Sequence, residues 1–325
     1  MEMIAEKSGV SKATVSRALG GSRLIGERVR SHVEKVAAEL GYIRRKQKRH
    51  AERAILTVKV VLPASENQST QLFYSFLTLI DGLREGLKPS VANVIVETLS
   101  ENYSPFPHKK GGEVDAFVFA FHRPSQKVVA EIEDREAACV VLDRLASGVR
   151  QVVSDHHDAM VQIAGHLSHQ GVRGRCCFVN YQGIADIAEA RLRGFGDGAK
   201  KNGISFDPVV DRLEVDTPEA LTLEKVRALY ESGVRHFVGF NDVVGIILSQ
   251  HLQSLGLSIP DQVKVTGCGG GPIHDITRPR LTTIDMCLFK LVREVGRSLQ
   301  AEVVQREEAQ SVLELKGNLI VGETT

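Results

Sequence analysis

The sequence lacks several features that would indicate a membrane-bound or secreted protein. It has no run of about 18 apolar residues, so we expect no membrane-spanning helix. Its first residues lack the apolar segment of a signal peptide. The five cysteines contain no CxxC pair, so we expect buried thiols in a reducing cytoplasm. With 325 residues, of which 42% are hydrophobic and 25% charged, the composition is that of a folded protein of two or three domains.

Motifs for catalysis or for a cofactor are also missing. There is no G-x-x-x-x-G-K-[ST] phosphate loop, and Pro272 stands where a dinucleotide motif beginning at Gly267 needs its third glycine. No serine or cysteine stands in a nucleophile motif. The run 155–158, with His166 and His169 nearby, is a weak metal-site pattern because adjacent histidines point in different directions. We therefore expect a protein that is not an enzyme and that needs no metal or other cofactor.

The small net charge conceals an uneven distribution. The whole chain carries 41 Lys+Arg and 40 Asp+Glu, a net charge of +1. Residues 1–53 hold 13 basic and 6 acidic side chains, a net charge of +7, whereas residues 54–325 hold 28 and 34, a net charge of −6. A basic head on an acidic body indicates a nucleic-acid partner at one end. A solvated basic helix with a loose tail is the alternative interpretation.

The basic head has the pattern of a helix-turn-helix. A short helix from Ile4 ends at Gly9, which suits a tight turn, and a second helix spans 11–19 with Ser11 as its N-cap. Spacing places Val10, Val15 and Ala18 on an inward face. The outward face then carries Lys12, Ala13, Ser16 and Arg17.

A third helix is predicted over 27–40, ended by Gly41. Its apolar residues recur at helical spacing and predict one buried stripe. The stripe consists of Val29, Val33, Val36, Ala37 and Leu40.

The body, from residue 54, alternates apolar strands with helices. Such alternation is typical of parallel, doubly wound sheets, and the number of strands predicts two α/β subdomains. Ligands of these sheets bind beyond the carboxyl ends of the strands, so a cleft between the subdomains is the expected site. The predicted strands are 55–62, 91–98, 116–121, 138–142, 175–180, 236–240 and 263–267, and the predicted helices are about 72–87, 128–135, 158–170, 187–202 and 243–255.

Two segments of the head resemble the DNA-binding domain of the LacI family of bacterial repressors. They are Gly9-Val10-Ser11-Lys12-Ala13-Thr14-Val15-Ser16-Arg17 and Glu39-Leu40-Gly41-Tyr42. The resemblance implies that Lys12, Ala13 and Arg17 read base edges, with Arg17 able to form a bidentate pair with guanine. It also implies phosphate contacts, which position the head without reading sequence, for Ser11, Thr14, Ser16 and Tyr42.

The head departs from the family pattern in two places. Met1-Glu2-Met3 replaces the usual Thr-Ile-x-Asp segment, so we expect either a misassigned start codon or a truncated N-terminus. Ala51 stands where the family hinge usually carries a leucine that wedges into the minor groove. Six basic residues lie between Arg44 and Arg53, so we expect less kinking and more phosphate contact. The residues assigned to that contact are Arg45, Lys48 and Arg49.

The body resembles the same family through weaker motifs. These are R-x-x-G-F at 191–195, N-D at 241–242, G-L-S-I-P-D at 256–261 and P-R-L-T-T-I at 279–284. The fold implied is that of periplasmic sugar-binding proteins. The resemblance also implies a pocket for a polar, sugar-like effector, formed by Phe76, Asp155, Arg191, Asn241 and the position of Gly269.

Gly269 is the main departure in the body. The family usually has an aspartate there that binds effector hydroxyls, and the stretch 267–272 reads GCGGGP instead. Either the ligand is not a typical sugar, or the regulator has lost its small-molecule sensing.

These observations predict a small all-α helix-turn-helix head followed by two doubly wound α/β subdomains of periplasmic-binding-protein type. The head spans 1–43, a basic hinge 44–54 and the effector-binding and dimerisation domain 55–325. The first subdomain takes about 55–150 plus 283–305, and the second about 151–277 plus 310–325. We expect a cytoplasmic, homodimeric repressor that binds operator DNA and a small effector. The alternative is a sugar-binding protein without a DNA role.

Overall fold

The structure is a computed structural model that describes most of the chain. The described residues are 2–11, 14–15, 18, 25–39, 55–64, 75–100, 102–106, 114–305 and 311–325. The helices are α1 (Glu2–Ser8), α2 (Glu27–Glu39), α3 (Phe76–Gly86), α4 (Gln126–Asp134), α5 (His156–His169), α6 (Ala185–Asn202), α7 (Leu223–Glu231), α8 (Asp242–Ser254), α9 (Ile273–Ile276) and α10 (Leu288–Gln300). The strands are β1 (Ile55–Leu62), β2 (Val91–Thr98), β3 (Ala116–Ala120), β4 (Ala138–Leu142), β5 (Arg150–Ser154), β6 (Cys176–Tyr181), β7 (Arg212–Val215), β8 (His236–Gly239), β9 (Lys264–Thr266), β10 (Thr283–Asp285), β11 (Val312–Leu315) and β12 (Asn318–Ile320).

The head has a small apolar core of its own. Gly9 follows α1 with φ of 67°, a left-handed backbone conformation that glycine adopts without strain. Val29 was predicted to be buried, and this is wrong: it lies in the first turn of α2 and is 37% exposed, so the buried stripe of α2 begins one turn later. The buried residues are Ile4, Val15, Ala18, Val33, Val36 and Ala37.

The first subdomain contains a six-stranded parallel sheet. Its strand order is β11-β5-β4-β3-β1-β2. The central strands are apolar along their whole length because both faces of the sheet are covered, by a cluster that includes α3 and α10 on one side and α4 on the other. The strands predicted at 55–62, 91–98 and 138–142 are confirmed at both ends.

The second subdomain contains a four-stranded parallel sheet, in the order β7-β6-β8-β9. Its two faces carry separate apolar clusters, one with α5 and α6 and the other with α7 and α8. The strands β10 and β12 form an antiparallel pair outside both sheets. The prediction of two doubly wound α/β subdomains is confirmed.

The last part of the chain differs from the prediction that 310–325 belongs to the second subdomain. Val312–Leu315 pairs with β5 and forms the edge of the first sheet, whereas β12 pairs with β10. Thr324 then reaches the second sheet, where its hydroxyl donates to the Val265 carbonyl at 2.7 Å. The tail therefore contributes to both subdomains, and β5, which begins at the predicted boundary, belongs to the first.

Among the described ranges, no helix is both long enough and apolar enough to cross a bilayer.

Candidate functional site

A cavity of about 560 Å³ lies between the two subdomains, where the strands of both sheets end. The first subdomain contributes His122 and Arg123, which follow β3, and Asp143 and Arg144, which follow β4. Parallel strands bring residues that follow them to one edge of the sheet. The cleft predicted from the alternation of strands and helices is therefore present.

The second subdomain forms the opposite wall of the cavity. Tyr181 ends β6, while Phe240 and Asn241 follow β8, and Arg191 projects from the second turn of α6. Three of the five predicted effector residues, Arg191, Asn241 and Gly269, line this cavity.

Arg191 is buried in the second wall and is held by several contacts. Its Nη1 donates to the Phe240 carbonyl at 2.6 Å, and its Nη2 lies 3.2 Å from His156 Nδ1. The guanidinium also stacks over the Phe240 ring, 4.6 Å from its centroid. Because arginine only donates hydrogen bonds, His156 Nδ1 is the acceptor. Arg191 thus belongs to the framework of the wall as well as to its surface.

Asn241 caps α8, since its Oδ1 accepts the Val244 N–H at 2.9 Å. Asn241 is also one of the residues that line the cavity. Asn241 therefore has a structural role that the sequence interpretation did not assign.

Gly269 begins a loop held by Asp242, the first residue of α8. Asp242 Oδ2 accepts the N–H groups of Gly270 at 2.8 Å and Gly271 at 3.3 Å, and its Oδ1 accepts the Thr283 hydroxyl. Gly269 has φ of 153°, and a Cβ there would stand 3.1 Å from Asp242 Oδ2. Burial raises the pKa of Asp242, although these donors and His274 oppose the shift.

An acid and a histidine that the sequence interpretation missed connect the two walls. Asp143 Oδ1 lies 3.2 Å from His156 Nε2 and accepts the Ser154 N–H at 2.9 Å. Burial alone would raise the pKa of Asp143, but His156, the Ser154 N–H and Arg144 outweigh it and lower the pKa. The signal for Asp143 and Arg144 was their position directly after a confirmed apolar strand.

A second link crosses the cleft at its mouth. Arg123, from the first subdomain, donates through Nη2 to Asp186 Oδ2 at 2.5 Å, and through Nε to the Leu145 carbonyl. Asp186 lies in the first turn of α6, in the second subdomain. Two pairs of side chains that line the cavity thus join the two subdomains.

Phe76 and Asp155 are not brought to the cavity. Phe76 is the first residue of α3 and is 45% exposed. Asp155 is the N-cap of α5, where its Oδ1 accepts the Asp158 N–H at 2.8 Å. Its neighbour His156 reaches the cavity instead.

The other histidines of the run 155–158 and its surroundings have partners of different kinds. His157 Nε2 lies 2.8 Å from Asp197 Oδ2, whereas His166 Nε2 lies 2.8 Å from the Thr325 hydroxyl. Within the described ranges, no three His, Cys, Asp or Glu side chains are grouped so that they could hold a metal ion.

Two of the residues predicted to contact DNA, Ser11 and Thr14, lie in the part of the head that the structure describes. Ser11 Oγ accepts the Thr14 N–H at 3.1 Å and lies 2.9 Å from the Thr14 hydroxyl, so the predicted N-cap is confirmed. Ser11 is exposed and Thr14 is half-buried. The other predicted contacts lie outside the described residues: Lys12, Ala13, Ser16, Arg17, Tyr42, Arg45, Lys48 and Arg49.

Two protein-family models match this chain. A model of bacterial regulatory proteins, lacI family, matches residues 1–45, and a model of a periplasmic binding protein-like domain matches residues 164–325. The matches correspond to the helix-turn-helix head and to the part of the chain that includes the second wall of the cavity.

Known proteins match along nearly the whole chain. Catabolite control protein A of Streptococcus mutans is 25% identical over 94% of this chain and 91% of its own length. The transcriptional repressor PurR of Vibrio vulnificus is 24% identical over 99% and 97%.

Solved structures also match along nearly the whole chain. The regulator CelR in complex with cellobiose is 20% identical, covers 100% of this chain and 99% of its own, and has a TM-score of 0.67. The lac repressor dimer bound to operator is 17% identical, covers 99% and 97%, and has a TM-score of 0.63.

Proposed function

The chain belongs to the LacI family of bacterial regulatory proteins, and on that premise we propose that it is a transcriptional repressor whose DNA binding is controlled by a small polar ligand. The head carries this proposal. It combines the specific run 9–17, a left-handed turn at Gly9 and a capped second helix at Ser11 on a small apolar core. The relatives named above are transcriptional regulators and not enzymes. A protein that binds operator DNA acts in the bacterial cytoplasm, and we propose that location here.

We assign the reading of DNA sequence to the second helix of the head. Lys12, Ala13 and Arg17 face base edges in the major groove, and Arg17 pairs with a guanine. The phosphate contacts are those of Ser11, Thr14, Ser16, Tyr42, Arg45, Lys48 and Arg49, and the acidic body keeps away from the polyanion. Since the Ser11 and Thr14 hydroxyls share one hydrogen bond, one hydroxyl hydrogen of the pair remains to donate to a phosphate.

We assign effector binding to the cavity between the subdomains, with Arg191 and Asn241 as ligand contacts and Gly269 on the rim. A ligand there competes with or strengthens the Arg123–Asp186 and Asp143–His156 links. It thereby changes the angle between the subdomains and the separation of the heads, which is coupling between two sites. The size of the cavity and the charged side chains in its lining favour this function over a regulator that has lost its ligand.

The outer face of the first subdomain supports a homodimer. The edge strand β2 exposes Val91, Ile95 and Val96, at 60%, 36% and 37%, and α3 exposes Leu77 at 72%. An apolar edge strand is a poor surface to leave in water, and a second copy would cover it. Two heads related by two-fold symmetry then require a pseudo-palindromic operator.

Selection of bound duplexes from a random DNA pool tests the proposed function. The full-length protein should enrich a pseudo-palindrome. Arg17→Ala should relax the preference at a single base pair of each half-site, with a loss of about 1–3 kcal/mol, whereas Lys48→Ala should weaken all sequences alike. A pool that shows no enrichment contradicts the proposal.

A further inference from the structure

The cavity contains two arginines that lack an acidic partner. Arg123 is neutralised by Asp186, but no carboxylate oxygen of the described residues comes within 4.0 Å of the guanidinium of Arg144 or Arg191. Arg191 donates to a carbonyl and to an imidazole, neither of which is an acid. Two positive charges therefore face the same enclosed space without direct neutralisation.

Arg144 differs from Arg191 because it makes few contacts within the protein. Of its five N–H groups, Nη1 donates to the Asp143 carbonyl at 2.6 Å, and this is its hydrogen bond within the described part of the protein. Burial lowers the pKa of Arg144, Asp143 and Asp186 raise it, and Arg191 and Arg123 lower it. The guanidinium thus lies near other cations and keeps most of its donors available to a ligand.

Each carboxylate of the cavity has at least one oxygen engaged within the protein. Asp143 Oδ1 accepts the Ser154 N–H and lies against His156, and Asp186 Oδ2 pairs with Arg123. Asp242 accepts two backbone N–H groups and a hydroxyl, which hold the loop after Gly269. The acceptors that a neutral sugar would use are therefore partly committed, whereas the donors of Arg144 are not.

Gly269 removes a further negative charge from the rim. A side chain there would begin 3.1 Å from Asp242 Oδ2, so an aspartate would place a second carboxylate beside a buried one. With glycine at this position, an anion in the cavity meets less repulsion.

We infer that the ligand of this cavity is an anionic small molecule, a carboxylate or phosphate attached to a polar body, held by Arg144 from the first wall and by Arg191 from the second. This inference rests on the proposed function and specifies the chemical class of the effector. Arginine presents a planar fork of donors that matches a carboxylate or phosphate in two-point contact. An anion shared by one arginine from each subdomain also draws the two walls together.

Thermal unfolding and titration calorimetry with matched compounds test the inference. The probes are glucose, gluconate and glucose 6-phosphate, the corresponding ribose compounds and inorganic phosphate, each at millimolar concentration. The anionic members should raise the Tm of the full-length protein while the neutral sugars do not. Whether the carboxylate or the phosphate member binds more tightly distinguishes the two sources of the anion.

The variant Arg144→Gln should raise the Kd of the anionic compound roughly ten- to hundredfold, and Arg144→Lys should restore part of the affinity. Arg193→Gln is the matched control, because Arg193 lies on the same helix as Arg191 but is exposed and 4.0 Å from Glu189. Its Kd should equal that of the unchanged protein.

The inference is overturned if neutral sugars bind as tightly as their acids, if no anionic probe binds, or if Arg144→Gln leaves the Kd unchanged. Failure of the proposed function gives a different result. In that case the random DNA pool shows no enriched sequence, whatever the cavity binds.

Discussion

Two carboxyl groups face the same cavity from opposite walls, and their pKa values are shifted in opposite directions. Asp143, in the first wall, has a lowered pKa, whereas Asp242, in the second wall, has a raised one. Asp242 is buried, whereas Asp143 has 15% of its side chain exposed, and Asp242 accepts more hydrogen bonds than Asp143 from uncharged donors. Near Asp143, His156 and Arg144 outweigh the effect of burial on the pKa, whereas at Asp242 burial has the larger effect despite its hydrogen-bond donors.

The arginines of the two walls differ in a similar way. Arg191 is 6% exposed and joins His156 to the Phe240 carbonyl, so the second wall depends on it. Arg144 makes one bond to the backbone of its neighbour. The second wall therefore depends on its arginine for internal contacts, whereas Arg144 of the first wall has most of its donors available to a ligand.

The largest expected effect is that of Arg191→Met compared with Arg144→Met. Loss of Arg191 leaves a buried carbonyl and a buried imidazole without their donor, which should lower the free energy of unfolding by about 3 kcal/mol. Loss of Arg144 should lower it by less than about 1 kcal/mol. Urea unfolding of the two variants measures the difference, and equal losses would remove the distinction between the walls.

The next effect is a pair of opposite pH dependences. The lowered pKa of Asp143 means that its stabilising contribution is present above the ordinary aspartate value of 3.8 and is lost as the pH falls below it. Asp143→Asn should therefore cost about 1–2 kcal/mol at neutral pH and progressively less in acid. Unfolding free energies of variant and parent from pH 7 downwards measure this.

Asp242→Asn serves as the counterpart. Its raised pKa means that the protonated carboxyl favours folding below 3.8 and that this benefit is lost as the pH rises through the folded-state value. The free energy of unfolding of the variant should rise relative to that of the parent protein as the pH rises. At neutral pH the two values should lie within about 1 kcal/mol of each other. If the free energies of unfolding of Asp143→Asn and Asp242→Asn change with pH in the same way, the two carboxyl groups do not differ in their effect on stability.

The smallest effect is expected at the mouth of the cleft. The Arg123 and Asp186 side chains are 52% and 32% exposed, so Arg123→Gln should change stability by less than about 0.5 kcal/mol. It should nevertheless increase the radius of gyration measured by small-angle X-ray scattering, because a link between the subdomains is lost. Arg297→Gln is the control, since its partner Glu294 lies on the same helix. An equal response in both variants would show that the Arg123 link does not hold the walls together.

Continuous apolar runs made much of the fold predictable. The strands β1, β2 and β4 coincide with their predicted limits because apolar residues predominate in each of them. The strands at 150–154 and 212–215 were missed because arginine, glutamine and glutamate interrupt the pattern. The assignment of β11 to the second subdomain failed for another reason: pairing with β5, about 160 residues earlier in the chain, leaves no local signal.

The site was predictable only where family motifs reached it. Arg191 and Asn241 line the cavity as expected, but Phe76 and Asp155 do not. The sequence offered no reason to connect Asp143 with His156, because their contact depends on how two subdomains meet. The ligand-binding and DNA-binding roles assigned to residues of the cavity and the head remain predictions.

The small number of contacts that Arg144 makes within the protein has a consequence for protein engineering. A regulator becomes a useful biosensor when its ligand can be changed without damage to the scaffold. Substitution of Arg191 disturbs the scaffold, whereas Arg144 is anchored through a single backbone contact. Libraries aimed at a new analyte should therefore randomise position 144 and its surroundings in the first subdomain, and leave 191 unchanged.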